Sequence, residues 1–239
     1  MRTRATGTPG GAVTFTQRKR RDQLVECAID AIADAGYPRT SVAEVARRAG
    51  VSKGVVTYHF PAKDDLIQAV IANVIAEMSQ YLEPRLRAAD PAQHPDRFIA
   101  VYLTTWTGYI RAHRRDVLAL VRIYDAFRDE TGRPNPAFDV RATEISIVTR
   151  ILRQGQGTGC LGSFDGPIMA AVMKAALDDL LRQYADDPGL DVEAYGAQLV
   201  AMFEAATRPG QGPTASPVAA SRAAAASHPA DLVTPKEEK

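Results

Sequence analysis

The chain has 239 residues, 46% of them hydrophobic and 24% charged, a composition that excludes collagen-like, wholly disordered and membrane-embedded classes. Its uncharged apolar runs, such as Ile168 to Met173, stop far short of the ~20 residues that span a bilayer. Met1 to Gln17 has basic residues without the apolar block of a secretory leader, so a cytoplasmic location is expected. The formal net charge of +1 hides an asymmetry: up to Lys63 there are 11 Lys/Arg against 5 Asp/Glu, a surplus of +6, and the remainder holds 18 against 23, or −5. A basic head on an acidic body suits binding to a polyanion, although a plainly solvated basic face has the same charge.

In chain order the first element is an amphipathic helix. Leu24, Cys27/Ala28, Ala31/Ile32 and Ala35 recur at helical steps with Asp22, Glu26, Asp30 and Asp34 between them, and Gly36 stops it. Ser41 with Glu44 three residues on predicts a capping box at the start of a second, short helix, whose apolar face is Val42, Val45 and Ala46 and which ends at Gly50. Ser52 is the expected N-cap of a third helix, Lys53 through His59, before Pro61 interrupts. Two short helices joined by a glycine turn make a helix-turn-helix pattern, whose second helix enters the DNA major groove.

These residues carry a family resemblance. Thr40-Ser41-Val42 with Val45-Ala46, then Ala49 through Gly54, then Tyr58-His59-Phe60-Pro61 and Lys63, resemble the N-terminal domain of the TetR family of transcriptional regulators. The likeness covers Arg18 to Leu66; beyond that it is one of pattern only. It implies an all-α homodimer: a three-helix helix-turn-helix head on a larger helical ligand-binding and dimerisation domain. It also implies a protein that occupies operator DNA, usually as a repressor, and lets go when a small molecule binds its C-terminal domain.

The residues themselves suit those roles. Ser41 and Ser52 stand at helix N-termini, whose partial positive charge can also receive phosphate oxygens. Lys53, Val55 and Thr57 lie near the start of the recognition helix; Lys53 is suited to a guanine edge and Val55 to a thymine methyl. Tyr58, His59 and Lys63 suit phosphate contacts, which position without specifying. Val56 and Phe60 are expected in the core. Arg18 to Arg21 read equally as groove-reaching residues or as a solvated arm. Thr57 departs from the family, which usually carries an aromatic there.

Past Lys63 the chain turns from head to body. Pro61 is expected in the first turn of a connecting helix with Asp64 and Asp65, and Leu66, Val70, Val74 and Met78 form its stripe to Tyr81. A break is expected from Pro84 to Pro95. Phe98, Tyr102, Trp106 and Tyr109/Ile110 then share one helical face, and Val117, Leu120/Val121, Tyr124 and Phe127 another. Such aromatic stripes commonly form plain core, but the family resemblance implies that helices here enclose an effector pocket. Tyr102, Trp106, Tyr109, Tyr124, Phe127, Met169 and Met173 are the candidate effector residues, with no sign of ligand charge favoured. Two later helices supply a broad apolar face, Ile168 to Tyr184 and Val192 to Phe203. Val172, Ala176, Leu180, Tyr184, Tyr195, Leu199 and Met202 are the candidate dimer contacts.

Other chemistry is not expected. Gly157-Thr158-Gly159-Cys160-Leu161-Gly162 spells the spacing of a dinucleotide loop, and Ile145 to Leu152 mimics its strand. The same residues also fit helical steps, and no parallel-sheet pattern occurs elsewhere. Cys27 and Cys160 show neither disulfide nor zinc spacing. His59, His94, His113 and His228 are scattered without nucleophile or ligand spacing, and Asp178-Asp179 reads as a solvated helix side. No enzyme activity, cofactor, metal or catalytic residue is therefore expected, and no membrane partner. The domain plan is an arm at 1–14, a helix-turn-helix domain at 15–63, an effector-binding and dimerisation domain at 64–208, and a tail at 209–239; both ends are too poor in large apolar residues to order themselves. The alternative function is a helical small-molecule-binding protein whose head lacks sequence specificity.

Overall fold

Nine α-helices and no strand make up the described residues, 15–127 and 141–210, of the computed structural model. The arm at 1–14 and the tail beyond 210 lie outside them. In chain order the helices are α1 Phe15–Ala35, α2 Val42–Ala49, α3 Lys53–His59, α4 Lys63–Ala88, α5 Pro95–Ala112, α6 Arg114–Ala126, α7 Arg141–Gly157, α8 Gly166–Asp186 and α9 Val192–Thr207. No helix among the described residues is long and apolar enough to cross a membrane.

The local signals act largely as their chemistry requires. Gly36 ends α1 at φ +82° and Gly50 ends α2 at φ +66°, left-handed conformations that cost a side-chain-bearing residue about 1–2 kcal/mol. Ser41 accepts from the Glu44 backbone N–H at 3.2 Å. The return half of that capping box is missing, because the Glu44 carboxylate turns instead to Arg47 and Arg48 at 2.7–2.8 Å. Ser52 stands at the N-cap of α3 without a side-chain cap bond.

Two expectations about proline are corrected. Pro61 lies outside α4, whose N-cap is Ala62; the Asp65 carboxylate accepts from the Ala62 N–H at 2.9 Å and secures the first turn. Pro84 lies inside α4, which continues to Ala88. Proline there removes the donor that would reach the Gln80 carbonyl, and both residues are exposed, so water can take its place. The break therefore shrinks to 89–94, and Pro95 begins α5.

Two apolar cores result. The head core joins Leu24, Ile29 and Ile32 of α1, Val45 of α2, Val56 and Phe60 around α3, and Leu66, Val70 and Val74 of α4 with Ala119, Leu120 and Ile123 of α6. The body core joins Met78 and Leu82 of α4 with Phe98, Tyr102, Trp106 and Tyr109 of α5, Val117 of α6, Leu152 of α7, and Met173, Leu180, Leu199 and Phe203 of α8 and α9. Each fully buried aliphatic or aromatic side chain contributes about 1.5–3 kcal/mol. Helices α4 and α6 contribute to both cores, so head and body share two continuous elements. Within the body α5 packs closely along α9: a Cβ at Gly196 would fall 2.7 Å from the Thr107 side chain.

The glycine-rich segment follows a helix, α7, rather than a strand. Gly162 donates to the Thr207 carbonyl at 2.8 Å, and a Cβ there would fall 2.6 Å from the Arg208 carbonyl oxygen. Its glycine allows close approach to the end of α9.

Candidate nucleic-acid interface

The outer surface of α2 and α3 follows from what their inner surfaces bury. Val56 and Phe60 are fully enclosed, so α3 must turn the opposite side outward, where Lys53 is exposed and Val55 and Thr57 are half-buried. Tyr58 is 70% exposed. Two links from α1 steady this end of α3: Gln17 Nε2 donates to the Tyr58 hydroxyl at 3.3 Å, and Arg21 Nη1 donates to the His59 carbonyl at 3.0 Å. The Arg21 guanidinium also lies 4.2 Å from the Phe60 ring centroid, a cation–π geometry. Arg18 to Arg21 are thus helical residues of α1, not a separate arm.

The eight DNA-contact candidates divide by environment. Ser41 and Ser52 are exposed at helix starts, and Lys53 and Tyr58 project into solvent. The Thr57 hydroxyl bonds back to the Lys53 and Gly54 carbonyls, both at 3.2 Å. The His59 ring meets that of Tyr58 edge-on, with centroids 5.2 Å apart. Lys63 is placed differently from the phosphate contact expected of it: its amine donates to the Tyr37 carbonyl at 3.0 Å and sits 4.0 Å from the Tyr37 ring centroid. Burial pushes its pKa down, against the opposing pull of Asp64. Hydrogen bonds from Arg47 and Arg48 hold the Glu44 carboxyl at about 2, so this acid of α2 remains ionised and matched.

The seven effector candidates also separate. Tyr102, Trp106, Tyr109 and Met173 belong to the body core, with Met169 packed beside them. Tyr124 and Phe127 pack against the head core, Phe127 with its ring 4.9 Å from that of Tyr37. The face of α6 that carries them points toward α1, with which α6 packs extensively. Polar groups that spacing did not mark lie beside the aromatics: Lys174 of α8 pairs with Glu144 of α7 and Asp178, 5.4 Å from the Trp106 ring centroid. Burial lowers the Lys174 pKa, and the two carboxylates more than offset it. Asp178 is accordingly not a solvated surface acid; its side chain is 20% exposed. Burial, then Glu144 and Asp178, pushes the Tyr102 phenol up.

The dimer candidates fall on two sides of α8 and α9. Val172 and Met202 are exposed, with Ile168 beside them, while Leu180 and Leu199 are buried in this chain's own core. Ala176, Tyr184 and Tyr195 are half-buried and pack against that core. The stripe read as continuous therefore wraps around α8, and its outward part runs through Ile168 and Val172.

Two short helices meeting at a left-handed glycine, braced by a longer helix and carried on a helical body, define a helix-turn-helix protein. Residues 24–70 match the model of the bacterial regulatory proteins of the tetR family, a match that takes in α2, α3 and most of α1 with the start of α4. It is 32% identical over 82 residues to the HTH-type transcriptional regulator BetI of Cronobacter sakazakii, covering 34% of this chain and 41% of that one. It is 33% identical over 102 residues to BetI of Burkholderia mallei, covering 38% and 52%. The chain thus spans about half the length of these curated relatives. Its fold is that of a TetR-family regulator structure from Rhodococcus sp. (TM-score 0.65, 23% identity, 78% of this chain and 97% of that one). It is equally that of the fatty acid degradation regulator FadR from Bacillus halodurans (TM-score 0.62, 17% identity, 77% and 94%).

Proposed function

We propose that the protein is a ligand-responsive transcriptional repressor, binding a near-palindromic operator as a homodimer and released by a small-molecule effector. The observation that carries this reading is the division of α3: Val56 with Phe60 at its end fixes the helix in the head core, and Lys53, Val55, Thr57 and Tyr58 are left on its outer side. A helix so anchored can lie in the major groove, with α1 side chains available for the flanking phosphates. The names of the BetI relatives, transcriptional regulators both, support it.

Release by an effector has a physical route in α4 and α6. Both helices are shared by the two cores, so a ligand that spreads the aromatics Tyr102, Trp106 and Tyr109 shifts helices that also carry the head. Ile168, Val172 and Met202 are the apolar surface for a second copy, whose two-fold symmetry would match two operator half-sites. Such a regulator works in the compartment that holds the DNA.

The test is a mobility-shift titration against the DNA flanking the protein's own gene, with unrelated duplex in excess. A discrete complex that survives the competitor is the expected result. Smearing that competitor removes would refute sequence-specific binding and favour a helical small-molecule-binding protein with a merely basic head.

A further inference from the structure

Where head and body join, a His and an Asp three residues apart meet a Glu from a distant helix. They are Glu77 of α4, His113 between α5 and α6, and Asp116 of α6, and one potential ligand atom from each lies within 4.8 Å of the others. His113 Nδ1 is 3.5 Å from Asp116 Oδ2. Asp116 is only 4% exposed.

The surrounding charges leave this group in surplus. Asn73 donates to both Glu26 and Glu77 at 3.3 Å, and Arg115 reaches Glu26 at 2.6 Å, Asp30 at 3.2 Å and Asp116 at 3.1 Å. Three carboxylates are thus drawn onto one guanidinium, and Glu77 is tied to the same group through Asn73. Close like charges oppose one another in a partly buried setting, and a cation is the group that relieves them.

An independent observation comes from Tyr109. It is 1% exposed, and its hydroxyl has no hydrogen-bond partner. Its ring stacks on the His113 imidazole at 4.5 Å and 17°. A buried phenol without a partner is unfavourable, and a metal ion or its bound water would supply one.

We propose that Glu77, His113 and Asp116 form a binding site for a divalent transition-metal ion at the seam between head and body. One imidazole nitrogen with two carboxylates suits zinc, cobalt, nickel or manganese better than calcium or magnesium, which prefer all-oxygen cages. Asn73 and Arg115 are the outer partners: Asn73 holds Glu77 and Glu26 of α1, and Arg115 holds Asp116 with Glu26 and Asp30 of α1, so loading the site alters how α1 is held against α4 and α6. That regulatory consequence rests on the DNA-binding reading; the metal site does not.

The experiment is a titration of the full chain with Co²⁺ alone, read by its visible absorption bands and followed by displacement with Zn²⁺. One saturable Co²⁺ per chain is expected. His113→Gln and Glu77→Gln should each weaken it at least about tenfold, the scale on which even outer partners of metal sites act, and His94→Gln should leave it unchanged. Circular dichroism checks that each variant is folded; Glu77→Gln alters a half-buried side chain and remains informative if His113→Gln does not fold. The site is overturned by an absence of saturable uptake, by wild-type affinity in a folded His113→Gln or Glu77→Gln, or by loss with His94→Gln. A mobility shift with and without Zn²⁺ reads the coupling separately: a changed DNA affinity supports it, and an unchanged one removes it while leaving the Co²⁺ result standing.

Discussion

Gly50 sets the angle between α2 and α3, and replacing it isolates one physical effect. A Cβ added there meets no atom within 4 Å, so Gly50→Ala introduces no clash and its cost is that of φ +66°. Left-handed backbone costs a non-glycine residue about 1–2 kcal/mol. The stiffer unfolded chain returns about 0.4–1 kcal/mol, for a net destabilisation of about 1 kcal/mol. For a chain of this size that lowers Tm by about 2–4 °C. Thermal unfolding followed by far-ultraviolet circular dichroism measures it. Gly50→Asn should lose less, because asparagine enters this conformation more readily. A Gly50→Ala protein as stable as the original, or more so, would refute the assignment of a strained turn.

Lys53→Ala is expected to weaken operator binding by about 1–3 kcal/mol, roughly 5- to 150-fold, with Tm unchanged; Tyr58→Phe should also weaken it by removing a possible phosphate contact, and mobility shifts measure both. Glu44 has its carboxyl held at about 2, below the ordinary 4.5, so its contribution to head stability is full above 4.5 and is lost as the pH falls toward about 2. Glu44→Gln should flatten the pH dependence of denaturant unfolding across that window, and an unaltered slope would contradict the pairing with Arg47 and Arg48. Trp106, the only tryptophan in the chain, lies in the body core; an effector that releases DNA should change its fluorescence, and Trp106→Phe should weaken that effector. No change in either removes Trp106 from the effector site.

What could be read in the sequence was mostly local. Gly36 and Gly50 act through their own backbone and Ser41 through a hydroxyl that caps the N–H three residues on, so their spacing marked the short helices of the head. Asp191 likewise caps α9, accepting from Ala194 at 2.9 Å. Features that depend on which side of a helix meets which neighbour were not legible. Tyr124 and Phe127 follow the aromatic periodicity of the body yet pack against the head, because α6 lies along α1. Leu180 and Leu199 have the apolar spacing of an outer stripe but point inward. Lys63 looked like a surface base, and only the fold brings the Tyr37 carbonyl to it across 26 positions. His113 gained its carboxylate neighbour Glu77 in the same way, from another helix. Lys174 and Asp178 stand at the four-residue spacing of a helical ion pair, yet Asp178 reads in the sequence as a solvated acid, because its burial comes from the packing of α8 against α7.

A hydroxyl-radical footprint on the operator tests the central claim most directly. The account predicts two protected half-sites on one face of the duplex, about one helical turn apart or a multiple of it, with protection weakened throughout by Lys53→Ala. Uniform protection without half-sites, or a footprint indifferent to Lys53, would contradict a dimer that reads DNA with α3.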